Sequence, residues 1–131
     1  MYHPAFMASR EEIRQAIQDY VARANANPRV RSSFRSWSAA IHLEATDEDA
    51  PFTLTVERGE LALLEDGHVG DADLIVRGGS EDLCNVFWGD VNPASHYMDQ
   101  AIAIQGRAED VIRLDGIAML VYLDAQQQGE G

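Results

Sequence analysis

Ala72-Asp73-Leu74-Ile75-Val76, Ser80 to Trp88, Asn92-Pro93 and Ala101-Ile102-Ala103-Ile104-Gln105-Gly106 follow one another in the second half of this 131-residue chain. The first and last pieces alternate apolar and polar positions, as half-buried strands do. Between them, Gly78-Gly79-Ser80 turns the chain into a helix that carries Glu81 and Asp82 at its favourable N-terminal end. Gly89 ends that helix, and Pro93 suits the first position of another short helix through Tyr97 and Met98, because proline there loses no needed hydrogen bond.

Working back toward the N-terminus, Ser9-Arg10-Glu11-Glu12 has the spacing of a capping box and opens a helix. Ile13, Ala16, Ile17, Tyr20, Val21 and Ala24 recur on one face, and Asn27-Pro28 stops the pattern, since the residue before proline avoids the helical region. Three alternating runs come next: Ala39, Ile41, Leu43 and Ala45; Phe52, Leu54 and Val56; Leu61 and Leu63. Their opposite parity carries His42, Glu44, Thr53, Thr55 and Glu57, which predicts a sheet with helices on one face and water on the other. Leu64 breaks this parity. Arg58-Gly59-Glu60 is short enough for a tight hairpin, so these strands are expected to pair in sequence. In the fourth strand Ala72, Leu74 and Val76 share a face. A last helix is read from about Glu109 to Leu123, apolar over more than half its circumference, hence buried on more than one side or lining a cavity. Gln126 to Gly131 reads as a frayed tail, and residues 1–8 as a second flexible end.

The length suits a single domain over 1–131, and the 46% hydrophobic and 24% charged residues are those of a globular protein. No window approaches the ~18 to 20 apolar residues of a membrane span, and the N-terminus lacks a signal peptide's order of charged then apolar residues. With one cysteine, Cys84, no internal disulfide forms. A cytoplasmic location is expected. The net charge of −12 is uneven: six Arg face three acidic residues up to Trp37, and four face nineteen from Ser38 onward. Such an acidic body repels phosphate backbones and anionic lipid, so nucleic acid is excluded as a partner and membrane contact is at most transient.

The pattern in the second half resembles the sterol carrier protein 2 family, in its stand-alone bacterial form. The resemblance rests on the Ala72-Asp73-apolar strand, Gly89-Asp90-Val91-Asn92-Pro93, Tyr97-Met98 and the strand ending at Gly106. It implies an α+β fold, with a five-stranded, mainly antiparallel sheet, helices on one face and an apolar tunnel between the layers. It also implies non-catalytic binding and intracellular transfer of a sterol, fatty acid or acyl-CoA, without a cofactor. Candidate tunnel residues are Trp37, Phe87, Trp88, Tyr97, Met98, Ile102, Ile104, Ile117, Leu120 and Val121; each also reads as ordinary core. Where lipid-transferring members usually carry Lys and other basic residues, this chain has Asp90, Ala101, Ala103 and Gln105, which weakens docking on anionic membranes. The ending Gly129-Glu130-Gly131 lacks a peroxisomal tail. The alternative is an accessory or oligomerisation module of a lipid or quinone pathway enzyme that keeps the fold without binding ligand. Monomer and homodimer fit both.

Other chemistry finds little support. Arg29 to Trp37 mixes cations with two aromatics and reads either as a membrane or headgroup contact or as a solvated connector. His3, His42, His68 and His96 lie on different elements without metal spacing. No nucleophile motif or phosphate loop appears, so no catalytic or metal-binding residues are assigned. Cys84 reads as a core thiol, and Asp110 and Asp115 as solvent-facing or capping.

Overall fold

The computed structural model describes residues 9–89, 92 and 101–130. The expected short helix through Tyr97 and Met98, and residues 1–8, lie outside them. Helix α1 (Arg10–Ala26) begins with the capping box: the Ser9 hydroxyl accepts from Glu12 N–H, and Glu12 accepts from Ser9 N–H. Asn27 ends α1 and also starts α2 (Pro28–Phe34), where its side chain accepts from the Arg29 N–H. Strands β1 (Ala39–Ala45), β2 (Pro51–Glu57) and β3 (Glu60–Asp66) form an antiparallel meander. Arg58 and Gly59, with φ of 50° and 81°, make the hairpin turn, both central residues positive as a type I′ turn requires. A side chain at Gly59 would meet the Phe34 carbonyl oxygen at 2.9 Å, so glycine is needed there twice over. The misfit at Leu64 has a backbone cause: the β2–β3 register shifts between Thr53 and Leu54, pairing them with Glu65 and Leu63 and leaving Leu64 as the extra residue of a bulge.

Strand β4 (Leu74–Gly78) pairs parallel with β1, and β5 (Ile102–Gly106) pairs antiparallel with β4, for a sheet order β3-β2-β1-β4-β5. The fourth strand starts two residues later than its pattern suggests. Asp73 precedes it and is bonded to Ala40 both ways, donating from its N–H to the Ala40 carbonyl and accepting the Ala40 N–H on its carboxylate. To reach β1's free edge from β3, the chain crosses the rear of the sheet and covers part of the face expected to be open to water, while Glu57, Arg77, Ala103 and Gln105 on that face stay exposed. Thr53 is buried there, donating to the Gly67 carbonyl and accepting from the Val69 N–H. His42 and His68 stack at 4.3 Å, each donating from Nε2 to a backbone carbonyl, of Val69 and Leu43 respectively.

Helix α3 (Ser80–Phe87) shows how a distant residue completes a local element. Its N-cap, Gly79, has no side chain to accept a hydrogen bond. Asp47, in the β1–β2 turn, accepts from both the Ser80 N–H (2.8 Å) and the Ser80 hydroxyl (3.1 Å) instead. Asp47→Ala is therefore expected to lose about 1 kcal/mol, the usual worth of a cap. Thermal denaturation would show a fall of a few degrees, partly restored in Asp47→Asn, and an unchanged midpoint would refute the capping role.

The last helix, α4, spans Ala108–Glu130, past the expected end near Leu123; Gln126 sits inside it and donates to the Gly89 carbonyl. The core lies between the helices and the sheet face formed by Ile41, Leu43, Phe52, Leu54, Val56 and Val76.

Candidate functional site

Inside this core lies a cavity of about 60 Å³. Its floor is the sheet, through Ile41 and Leu43 of β1, Leu54 of β2, Val76 of β4 and Ile102 and Ile104 of β5. These are same-parity positions on neighbouring strands, so the alternation seen in the sequence places them together. The roof is helical: Tyr20 from α1, Leu83, Val86 and Phe87 from α3, and Leu114, Asp115 and Ala118 from α4. Tyr20 and Phe87 meet edge to face at 5.2 Å.

Of the residues expected to line a tunnel, Phe87, Ile102 and Ile104 border this cavity. Five others lie elsewhere among the described residues. Trp37 is buried between layers, its indole N–H donating to Asp110 at 3.0 Å. Trp88 follows α3, where its carbonyl accepts from Arg23. Ile117 and Val121 are fully buried in the general core and Leu120 packs against it, so these three pack on the core without bordering the cavity. Tyr97 and Met98 fall outside the described residues. The volume is well below the ~300 to 1,000 Å³ of sites that enclose small molecules. No tunnel is traced among the described residues.

The two polar residues of the cavity, Tyr20 and Asp115, are not legible as site residues in the sequence. Tyr20 was legible only as one apolar position on α1. Asp115 was read as solvent-facing or capping, yet it borders the cavity, and Asp110 lies under Trp37. The available signal was the position of Asp115 on α4, between Val111 and Ala118 in the apolar stripe. Burial holds the Asp115 carboxyl above its ordinary value. Burial, and then the charge of Asp115, raise the Tyr20 phenol so that it stays protonated. For Asp115 the folded protein holds the proton more tightly than the unfolded chain, so stability falls as pH rises from the ordinary carboxylate value through the raised one. Asp115→Asn should accordingly melt at a higher temperature than the wild type at pH 7. The gap should close as the pH drops toward ~4; a gap that persists in acid would assign the gain to something other than ionisation.

The segment Arg29 to Trp37 divides its residues by type: the arginines at 29, 31 and 35 are exposed, Trp37 is buried, and Phe34 packs against the core. Its aromatics are thus directed into the protein. Burial, with Glu12 and Glu81 adding to it, pushes the Cys84 thiol up to about 12 and keeps it an inert core group. Among the described residues no group of three His, Cys, Asp or Glu is placed to hold a metal, and no helix is long and apolar enough to cross a membrane.

Among the described residues, a mostly antiparallel sheet and four helices pack around a mainly apolar cavity, which defines the class as α+β. The chain belongs to the SCP-2 sterol transfer family, whose model matches residues 17–119. No curated protein matches the chain. Solved structures share the fold at low identity. The conserved hypothetical protein TT1886 from Thermus thermophilus superposes with a TM-score of 0.63 at 15% identity, covering 86% of this chain and 85% of that one. A crystal structure of sterol carrier protein 2 gives 0.62 at 13%, covering 82% and 94%. UbiJ-SCP2, a ubiquinone synthesis protein, gives 0.60 at 14%, covering 93% and 98%. At these identities the likeness is one of fold.

Proposed function

We propose that this protein binds a lipid in the cavity between its sheet and helices and carries it, without catalysis, between membranes or enzymes in the cytoplasm. The single observation supporting this most is the cavity itself, because its walls are mainly apolar side chains from three helices and four strands of a sterol transfer family fold. Such walls act by excluding water: each buried CH₂ of a ligand contributes about 0.8 kcal/mol, so a chain of ~12 carbons needs no charged anchor. At about 60 Å³ the cavity has to widen to accept it. The elements free to yield are the helices of the roof, since the floor is held by strand-to-strand hydrogen bonds.

The small volume also favours a second reading. A family member whose cavity is filled by its own side chains would serve as an accessory module of a lipid or quinone pathway enzyme, in keeping with the fold it shares with a ubiquinone synthesis protein. Native mass spectrometry of the purified protein, followed by solvent extraction of whatever co-purifies, separates the two. A discrete bound mass released as a lipid supports the carrier and names its ligand class. An apo mass that stays unchanged with added fatty acids, sterols and acyl-CoAs overturns the carrier in favour of the module.

A further inference from the structure

Acidic residues outnumber cationic ones 22 to 10 in this chain, so an arginine without an acidic partner is unexpected. Arg14, Arg77, Arg107 and Arg113 pair with Glu11, Glu44, Glu109 and Asp110, and Arg23 donates to the Trp88 carbonyl. Arg31 and Arg35 of α2 and Arg58 of the β2–β3 turn instead line one open depression of about 500 Å³. All three are exposed, and among the described residues their side chains form no hydrogen bond or ion pair. Glu57 and Glu60 border an adjoining depression with Arg31 and Arg58, yet pair with neither. The cluster is held in place by backbone. Gly59 N–H donates to the Trp37 carbonyl at 3.1 Å and Arg58 N–H to the Ser38 hydroxyl at 3.1 Å, which fastens the turn to the end of α2. Arg58 has a φ of 50°, at a turn position that favours Asn, Asp or Gly, so an arginine stands there at a cost in backbone energy. Three like charges gathered at that cost, with acid abundant elsewhere, call for an anion from outside the chain.

We propose that Arg31, Arg35 and Arg58 form a binding site for the phosphate or diphosphate group of a small soluble molecule, separate from the apolar cavity. None of the three borders that cavity. A guanidinium presents its N–H groups as a planar fork that matches two phosphate oxygens at once, and three of them balance a di- or trianion. A single carboxylate would leave two of the charges unmatched. Ser32 lines the same depression, and its hydroxyl, engaged only by a 3.4 Å contact to the Arg29 carbonyl, is a further donor. Ala26 and Pro28 supply an apolar wall for the organic part of the molecule. The net charge of −12 selects the size of the partner. A nucleic acid or an anionic bilayer would face the acidic body as well as the arginines, whereas a small anion meets only the charges within about a Debye length, ~8 Å.

Titration calorimetry of the wild type, Arg58→Asn and the double variant Arg31→Gln/Arg35→Gln with pyrophosphate and inorganic phosphate tests this, with thermal melts confirming that each variant is folded. The wild type is expected to bind both anions, pyrophosphate about tenfold more tightly because it carries more charge. Arg58→Asn should bind pyrophosphate about fivefold more weakly, and the double variant about twentyfold. Arg58→Asn should also melt no lower than the wild type, because asparagine suits the left-handed turn position. A clearly lower melting temperature would give Arg58 a structural role and overturn its place in the site. Full affinity in either variant, or binding of neither anion by the wild type, overturns the assignment. Two further probes identify a macromolecular partner. Sedimentation with phosphatidylcholine vesicles containing phosphatidic acid, lost in the same variants and without pyrophosphate binding, overturns the small molecule in favour of a lipid surface. Hexaglutamate bound more tightly than pyrophosphate overturns it in favour of an acidic protein segment.

Discussion

Ala118→Phe is expected to lose lipid binding by about a hundredfold or more while remaining folded. Ala118 lies on the cavity side of α4, across from the strands that form the floor. A phenyl ring there occupies the space a ligand needs. Displacing even four methylene groups forfeits about 3 kcal/mol, which is roughly a hundredfold in Kd. The fold should tolerate the change because the ring enters an existing void; forcing a larger group into a packed core costs about 1–3 kcal/mol instead. Ala118→Leu, which adds less, should show an intermediate loss. The graded pair, followed by native mass spectrometry and thermal melts, distinguishes occlusion from unfolding. Full binding by a folded Ala118→Phe would place the ligand outside this cavity.

Phe52→Ala should produce the opposite result, a large loss of stability. Phe52 is fully buried on β2, paired in register with Leu43, and its ring lies beneath the Arg14 guanidinium of α1 at 6.0 Å. It does not border the cavity, so the space it leaves is a new void in tightly packed core. Truncating a buried phenylalanine costs about 3–5 kcal/mol, which in a domain of this size lowers the melting temperature by roughly 10–20 °C. Phe52→Leu should lose much less. A fall below about 5 °C for the alanine variant would mean that α1 settles onto the sheet and closes the gap.

The two sites contrast in how they were legible. Phe52 follows from alternation alone, since period two on β2 puts positions 52, 54 and 56 on one face. Ala118 does not, because α4 is apolar on several sides and its pattern cannot tell which side meets the core. The structure divides that helix: Leu114, Asp115 and Ala118 border the cavity, Ile117 and Val121 are buried away from it, and Ile112 and Leu123 are exposed. The same ambiguity explains why Ile117, Leu120 and Val121 read as tunnel residues. Trp37 lies away from the cavity for another reason. An aromatic amid arginines looks like a contact surface until a partner for its indole N–H appears, and that partner, Asp110, lies far along the chain.

The sequence by itself determined the order of the described elements, the inward face of β1, β2, β4 and β5, the capping box at Ser9, the break at Asn27-Pro28 and the hairpin at Arg58-Gly59. Each of these depends on residues within a turn or two of one another, where periodicity and backbone preference act directly. Tertiary structure alone decided the parallel pairing of β1 with β4 and the crossing segment that covers Thr53 and His42. It also decided that Asp47 caps α3, and that Tyr20 and Asp115 share one cavity. Those outcomes join residues distant in the chain, and local patterns carry no information about which surfaces meet once strands and helices are packed.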